Sequence, residues 1–182
     1  VKSFLQDMVD EKFSLEKLII SKSLRDFYKN PQSIAHRVLA DRIGQRDPGN
    51  KPAVGSRIPY AYIQTKRKVK LQGDRIEHPD YIRLHKLRPD YAFYITNQIM
   101  KPVTQIFSLL LEKMPSFKFQ LSGFQRRLRS MKRKWKNDDE KFDKEEIKVR
   151  NKFVKQLLFD SVIRQANNTK TGQRTIESFF AS

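Results

Sequence analysis

Apolar residues Phe4, Leu5, Met8 and Val9 recur at three- and four-residue intervals with charged residues between them, which predicts a helix over 2–14. The β-rich run Leu18-Ile19-Ile20, carried on by Ser21 to Leu24, predicts a strand over 17–24. Asn30-Pro31 interrupts the chain. Ser33 can then cap a helix over 34–43 whose apolar stripe is Ile34, Val38 and Leu39, with Gly44 as its stop. Pro48, Gly49, Pro52 and Gly55 make 45–56 a loop. Ile58, Tyr60, Tyr62 and Ile63 predict a strand over 57–63. The cations of 66–70 fall on a β-hairpin, Gln72-Gly73-Asp74 makes a turn, and 76–79 is extended because His78 precedes a proline.

From Asp90 the helical period returns in Tyr91, Tyr94, Ile95, Gln98, Ile99, Val103, Ile106 and Leu110. Pro102 sits inside that pattern and should kink the helix or divide it. A basic segment starts near Gln120, and Arg126, Arg127, Arg129, Lys132, Arg133, Lys134 and Lys136 place seven cations in eleven residues. On a helix that run is cationic nearly all round. An acidic stretch, 138–146, follows it. A further helix with Ile147, Phe153, Leu157 and Leu158 runs toward Ala166, Asn167-Asn168 ends it, and 169–172 is a polar linker. These elements predict an α+β chain, mostly helical, with a small hairpin or sheet, a basic helical extension over 113–170 and a flexible tail over 171–182.

Charge narrows the field of partners. The chain has 182 residues, with 38 Lys and Arg against 20 Asp and Glu, a net charge of +18. Self-repulsion of that size opposes compaction unless a polyanion supplies the counter-charge. Nucleic acid is the first candidate and an anionic membrane the second. The amphipathic stretches separate basic from apolar residues poorly, which ranks the membrane last. The absence of cysteine excludes disulfide scaffolds, thiol catalysis and cysteine-based zinc modules. The longest aliphatic run, Leu109 to Leu111, is far too short to span a bilayer. A chain that opens on Val1 without methionine reads as a piece of a longer protein or a processed product.

Three apolar residues near the C-terminus, Ile176, Phe179 and Phe180, sit behind the polar linker with Gln173 three residues ahead of the first. In a turn of about three residues Ile176 and Phe179 eclipse, and Phe180 lies beside them. The result is a compact apolar plug with an amide at its side. The bland alternative is a tail folded back on its own domain. The basic run 126–136 divides between phosphate contact and a solvated helix neutralised by the acidic stretch beside it. Catalysis is the weak reading. Adjacent Asp138, Asp139 and Glu140 point in different directions on a helix, and His36, His78 and His85 have no metal-ligand spacing.

Four blocks, in order, resemble segments of family B DNA polymerases. They are Lys17 to Arg25; Ala35-His36-Arg37-Val38-Leu39-Ala40; Gly55-Ser56-Arg57-Ile58-Pro59-Tyr60; and Asp90-Tyr91-x-x-Tyr94-x-x-Asn97-Gln98-Ile99-x-x-Pro102. The resemblance covers residues 1–112 and corresponds to the thumb, the region after the palm. It is closest in pattern to the delta-type and large-DNA-virus branches. The delta-type enzymes carry cysteine-rich metal modules after the thumb, which a cysteine-free chain cannot contain. The spacing Gln-x-x-Ile-x-x-Phe-Phe likewise resembles the peptide by which replication proteins dock on the sliding clamp.

The resemblance implies a C-terminal part of a replicative polymerase whose thumb grips primer–template duplex without sequence preference and whose tail binds the clamp. The palm, fingers and exonuclease domains would lie elsewhere on the same chain or on another. Work in the nucleus or a viral replication compartment follows from the same likeness. It implies duplex contacts from Lys22, Arg25, His36, Arg37 and Arg57, to which the basic hairpin adds Lys66 and Lys68. Clamp contacts would come from Gln173, Ile176, Phe179 and Phe180. No cofactor is expected here, because the palm carboxylate motifs that hold Mg2+ are absent and the chain alone is expected to be catalytically inactive. The alternative is a stand-alone basic DNA-binding or clamp-binding accessory protein.

Overall fold

Alternation of apolar side chains along 57–62 produces a central strand, β2 (Arg57–Tyr62), with Ile58, Tyr60 and Tyr62 buried. It pairs antiparallel with β1 (Ile20–Ser23) on one side and with β3 (Ile76–Glu77) on the other. The computed structural model describes residues 1–65 and 69–171. These fall into two compact units, Asp10–Tyr94 and a second formed by Val1–Val9 with the chain from Ile95 onward. The architecture is mostly helical with this one small sheet, the α+β class expected.

The unit of Asp10–Tyr94 is built on the sheet. β1 starts three residues later than the predicted strand, and the cause is a tyrosine from far along the chain. The register pairs Ile20 with Tyr60, so its extension sets Leu18 opposite Tyr62. There the Tyr94 hydroxyl stands between the strands, accepting the Tyr62 amide at 2.9 Å and donating to the Leu18 carbonyl at 2.7 Å. Residues Leu15–Leu18 coil into a 3-10 turn instead.

Helix α2 (Ala35–Arg46) packs over β2 and β3 through the buried Leu39 and Ala40. Ser33 does not cap it. Its hydroxyl donates back to the Asn30 carbonyl at 2.8 Å, and Ile34 occupies the cap position. Nor does Gly44 stop it: the helix runs on to Arg46 and ends before Pro48, which cannot continue it. Gly44 is small for another reason, since a β-carbon there would come within 2.8 Å of the Lys51 side chain. Gly73 is similarly pressed against Val38, at 2.7 Å from where its β-carbon would lie.

The extended reading of 76–79 holds for β3 alone. Pro79 opens a short helix, α3 (Pro79–Leu84), whose cap is His78, accepting the Asp80 amide on Nδ1 at 3.3 Å. Helix α4 (Tyr91–Tyr94) is capped by the buried Asp90, which accepts the Phe93 amide at 3.1 Å. Tyr91 donates to the Phe13 carbonyl at 2.8 Å, and Phe93 stacks on Tyr62 with centroids 3.8 Å apart. The Asp90-Tyr91-x-x-Tyr94 block is therefore scaffold that fixes the sheet.

In the second unit, α1 (Lys2–Val9) ends well before residue 14, because Glu11 adopts a φ of 56°, which a right-handed helix cannot carry. Its buried Leu5, Met8 and Val9 pack against α8 (Asp160–Thr171). The division predicted near Pro102 falls ahead of it, in a π-helical turn over Ile95–Ile99 before α5 (Met100–Leu109). Proline has no N–H to give the carbonyl four residues back, and the wider turn relieves that mismatch.

Helix α6 (Leu121–Lys134) is not cationic all round. Leu121, Phe124, Leu128 and Met131 face inward at three- and four-residue spacing, continued by Trp135, while the cations stay exposed. Phe124 meets Phe117 and Phe153 edge-on, with centroids 5.4, 5.3 and 5.7 Å apart around the trio. Helix α7 (Asp139–Leu158) is broken from α8 at the buried Phe159. Asn167-Asn168 do not end α8. The Thr169 and Thr171 hydroxyls donate to the carbonyls of Gln165 and Asn167, and the helix reaches Thr171 where a linker was expected.

Candidate nucleic-acid interface

The edge strand β1 borders an open cleft of about 520 Å3. Strand β1 supplies Ser21, Lys22 and Ser23; the segment after it supplies Arg25 and Tyr28; the entry to α2 supplies Ile34 and His36; β2 supplies Arg57. Four of the sequence-predicted residues, Lys22, Arg25, His36 and Arg57, thus line one site.

Local structure orients Arg57 and His36 through their side chains and Arg25 through its backbone. Arg57 lies opposite Ser23 in the register and leans along β1 to Ser21, donating to its hydroxyl at 3.2 Å and its carbonyl at 3.1 Å. Those partners are neutral, so the guanidinium keeps its full charge while losing its freedom. Tyr28 was not foreseen, and it organises the other wall. Its hydroxyl accepts the Arg25 amide at 2.8 Å and is hydrogen-bonded to Nε2 of His36 at 3.0 Å. Burial, reinforced by the charges of Lys22 and Arg25, holds the His36 imidazole below its ordinary pKa against the opposing pull of the Ser23 carbonyl. His36 is therefore neutral at pH 7.

Ion pairing separates this cleft from the rest of its unit. Arg37 pairs with Asp41 at 2.9 Å on the flank of α2 and does not line the cleft. Arg42 and Arg46 converge on the buried Glu77, at 3.4 and 2.9 Å, and Arg46 also lies 3.7 Å over the Tyr81 ring. Arg75 holds Asp90, Arg83 holds Glu16 and Asp80, and Arg88 holds Glu11. Among the described arginines of Asp10–Tyr94, Arg25 and Arg57 alone have no carboxylate partner, and both are in the cleft.

Lys66 and Lys68 lie outside the described residues, between strands β2 and β3 that do pair as a hairpin requires. Gln173, Ile176, Phe179 and Phe180 also lie outside them. Among the described residues no three His, Asp or Glu side chains gather where they could hold a metal ion. Asp138 instead caps α7 by accepting the Lys141 amide at 3.0 Å. No helix among those residues is long and apolar enough to cross a membrane.

The family model described as DNA polymerase family B matches residues 1–110. The whole chain is 41% identical to part of a DNA polymerase of Pyramimonas orientalis virus, of which it spans 15%. Over 65% of its length it is 44% identical to 7% of a DNA polymerase of Acanthamoeba polyphaga mimivirus. Over 60% it is 34% identical to 10% of the DNA polymerase delta catalytic subunit of Caenorhabditis elegans. The chain is thus a small fraction of the length of these relatives. With well over half its residues covered by the family model, the chain belongs to DNA polymerase family B.

Proposed function

We propose that residues 1–112 serve as the thumb of a family B DNA polymerase, holding primer–template duplex by its phosphates, and that the tail tethers the enzyme to a sliding clamp. The observation that carries the DNA reading is the cleft in which Lys22, Arg25 and Arg57 stand without carboxylate partners. Unneutralised cations, of which Arg57 is held by the neutral Ser21, suit phosphate oxygens, and phosphates carry no base identity, so the grip is independent of sequence. Arg57, fixed by Ser21, meets a phosphate without first losing side-chain freedom. Nucleotidyl transfer belongs to a palm domain carrying the Mg2+-binding carboxylates, in a nuclear or viral replication compartment. Support for the clamp reading comes from the Gln-x-x-Ile-x-x-Phe-Phe spacing of Gln173, Ile176, Phe179 and Phe180.

The test is fluorescence anisotropy of a labelled 20-base-pair duplex against the chain with Lys22, Arg25 and Arg57 all changed to Gln, over a salt series. Loss of three phosphate contacts should make the slope of log K against log salt shallower by about 2.7, at about 0.9 per phosphate, and weaken unrelated sequences alike. An unchanged slope, or a strong preference for one sequence, would overturn the reading.

A further inference from the structure

Helix α6 carries a second cationic surface. With Leu121, Phe124, Leu128 and Met131 turned inward, the exposed flank displays Arg126, Arg129, Lys132 and Arg133, and Lys136 extends it; these five line a shallow groove. At 3.6 residues per turn, the four on the helix fall within an arc of about 120°. From Arg126 to Arg133 the stripe is about 10 Å long, at 1.5 Å per residue.

The acidic stretch that follows does not neutralise it. Glu140 pairs with Lys144, Glu145 with Lys148 at 2.7 Å, and Glu146 with Arg150 at 2.7 Å, all within α7. The second carboxylate on Arg150 comes from Glu112, also at 2.7 Å. Asp138 is engaged as the α7 cap. The α7 glutamates are thus satisfied by their own helix, and among the described residues no ion pair joins any of the five α6-side cations to a carboxylate.

Two features select the partner. A helix that binds a membrane surface inserts its apolar face among the lipids, but the apolar face of α6 is spent on the aromatic cluster with Phe117 and Phe153. Single-stranded nucleic acid is held by bases stacking on exposed aromatic rings, and no aromatic residue stands within the stripe. Trp135 lies on the inward side, with the Lys141 ammonium 4.0 Å from its ring. What remains is a row of cations at regular helical spacing, suited to a polyanion of regular pitch. A duplex strand presents a phosphate every 3.4 Å of axis, so the stripe matches about three of them.

We propose that the α6 stripe, outside the segment matched by the family model, is a second duplex-DNA backbone site that acts independently of the cleft beside β1. The experiment uses the full chain and a labelled 20-base-pair duplex over a salt series, with three triple variants. The first is Arg126→Gln, Arg129→Gln, Arg133→Gln. The second removes the same number of charges from scattered exposed positions, Lys29→Gln, Lys101→Gln, Lys152→Gln. The third is the cleft triple. The stripe triple should make the salt slope shallower by about 2.7, at about 0.9 per phosphate, and the scattered triple by less than one. Replacing the three arginines by lysine should restore the slope, which a merely structural role would not produce.

Stripe and cleft effects should add when combined. If the cleft triple has no effect while the stripe triple does, the thumb-cleft reading falls and this one stands. If the stripe triple behaves like the scattered triple, the stripe is a solvated surface and the proposal is overturned. Loss of binding to phosphatidylserine vesicles with duplex binding intact would overturn it equally, in favour of a membrane surface.

Discussion

Replacing Tyr94 by phenylalanine removes a single oxygen from a site where it serves two backbones at once. The ring can stay where it is, edge-on to Tyr62 and Phe93. What is lost is the acceptor for the Tyr62 amide at 2.9 Å and the donor to the Leu18 carbonyl at 2.7 Å, beneath a side chain that is 5% exposed. Each net hydrogen bond contributes about 1 kcal/mol, and each backbone group left buried and unpaired costs about 1–3 kcal/mol, so the change should destabilise by about 2–4 kcal/mol. At a urea dependence of about 2 kcal/mol per molar, the unfolding midpoint should fall by about 1–2 M. Amide exchange gives a local readout, since the Tyr62 N–H should lose its protection while Ile58 keeps it. Titration gives a third. Burial pushes the Tyr94 phenol up to about 12, above the unfolded value of about 10. Its stabilising effect is thus present in full below pH 10 and is lost as pH rises through 12, and the variant should lack that part of the alkaline limb. A midpoint shift below 0.3 M with Tyr62 still protected would refute the bridging role.

Other consequences are open to measurement. A phosphate in the cleft favours the His36 imidazolium beside Lys22, Arg25 and Tyr28, so duplex affinity at fixed salt should strengthen as pH falls from 7 toward 5.5, and His36→Gln should flatten that trend in anisotropy titrations. The free protein should move the other way, losing stability as pH falls through the unfolded histidine value of about 6.5, because burial holds the folded value lower. Glu77→Gln leaves Arg42 and Arg46 without their shared carboxylate; a fully buried pair would cost about 3–5 kcal/mol, and the partial exposure of Arg46 reduces this to about 2–3 kcal/mol, readable as a lowered melting temperature. The double change Phe179→Ala, Phe180→Ala should weaken clamp binding a hundredfold or more in calorimetry, from about 1.5–3 kcal/mol per buried ring, and leave duplex binding unchanged; equal clamp affinities would mark the motif as coincidence.

Alternation and helical spacing were sufficient to find β2 and most of α2, because those elements answer to neighbours a few residues away; the α5 face they marked was wrong, since Ile106 and Leu110 are exposed and Thr104 and Ser108 are the buried positions. The errors share a different cause. The true start of β1 depends on Tyr94, more than seventy residues on, and no local pattern encodes a side chain inserted between two strands. Gly44 looked like a helix stop, yet its small size answers to Lys51. Seven cations in eleven residues mask the Leu121, Phe124, Leu128, Met131 spacing that gives α6 its apolar side. In the cleft, Lys22, Arg25, His36 and Arg57 came from resemblance, and spacing alone would not have joined them. Tyr28 carries no sequence signal of its role, since its hydroxyl matters only once Arg25 and His36 are brought to it.

The pairing of α1 with α8 bears on how the chain is made. A ribosome releases all of Asp10–Tyr94 before Ile95 emerges, so the sheet unit has its complete set of partners early and can close while synthesis continues. The other unit cannot. Leu5, Met8 and Val9 leave the exit tunnel among the first residues of this segment, and the surface that covers them, on α8, leaves among the last. Throughout that interval the α8 surface that packs on Leu5, Met8 and Val9 has not yet been made. Slow translation between α1 and α8 therefore delays closure of this unit, and a chaperone that shelters α1 protects the unit that closes last.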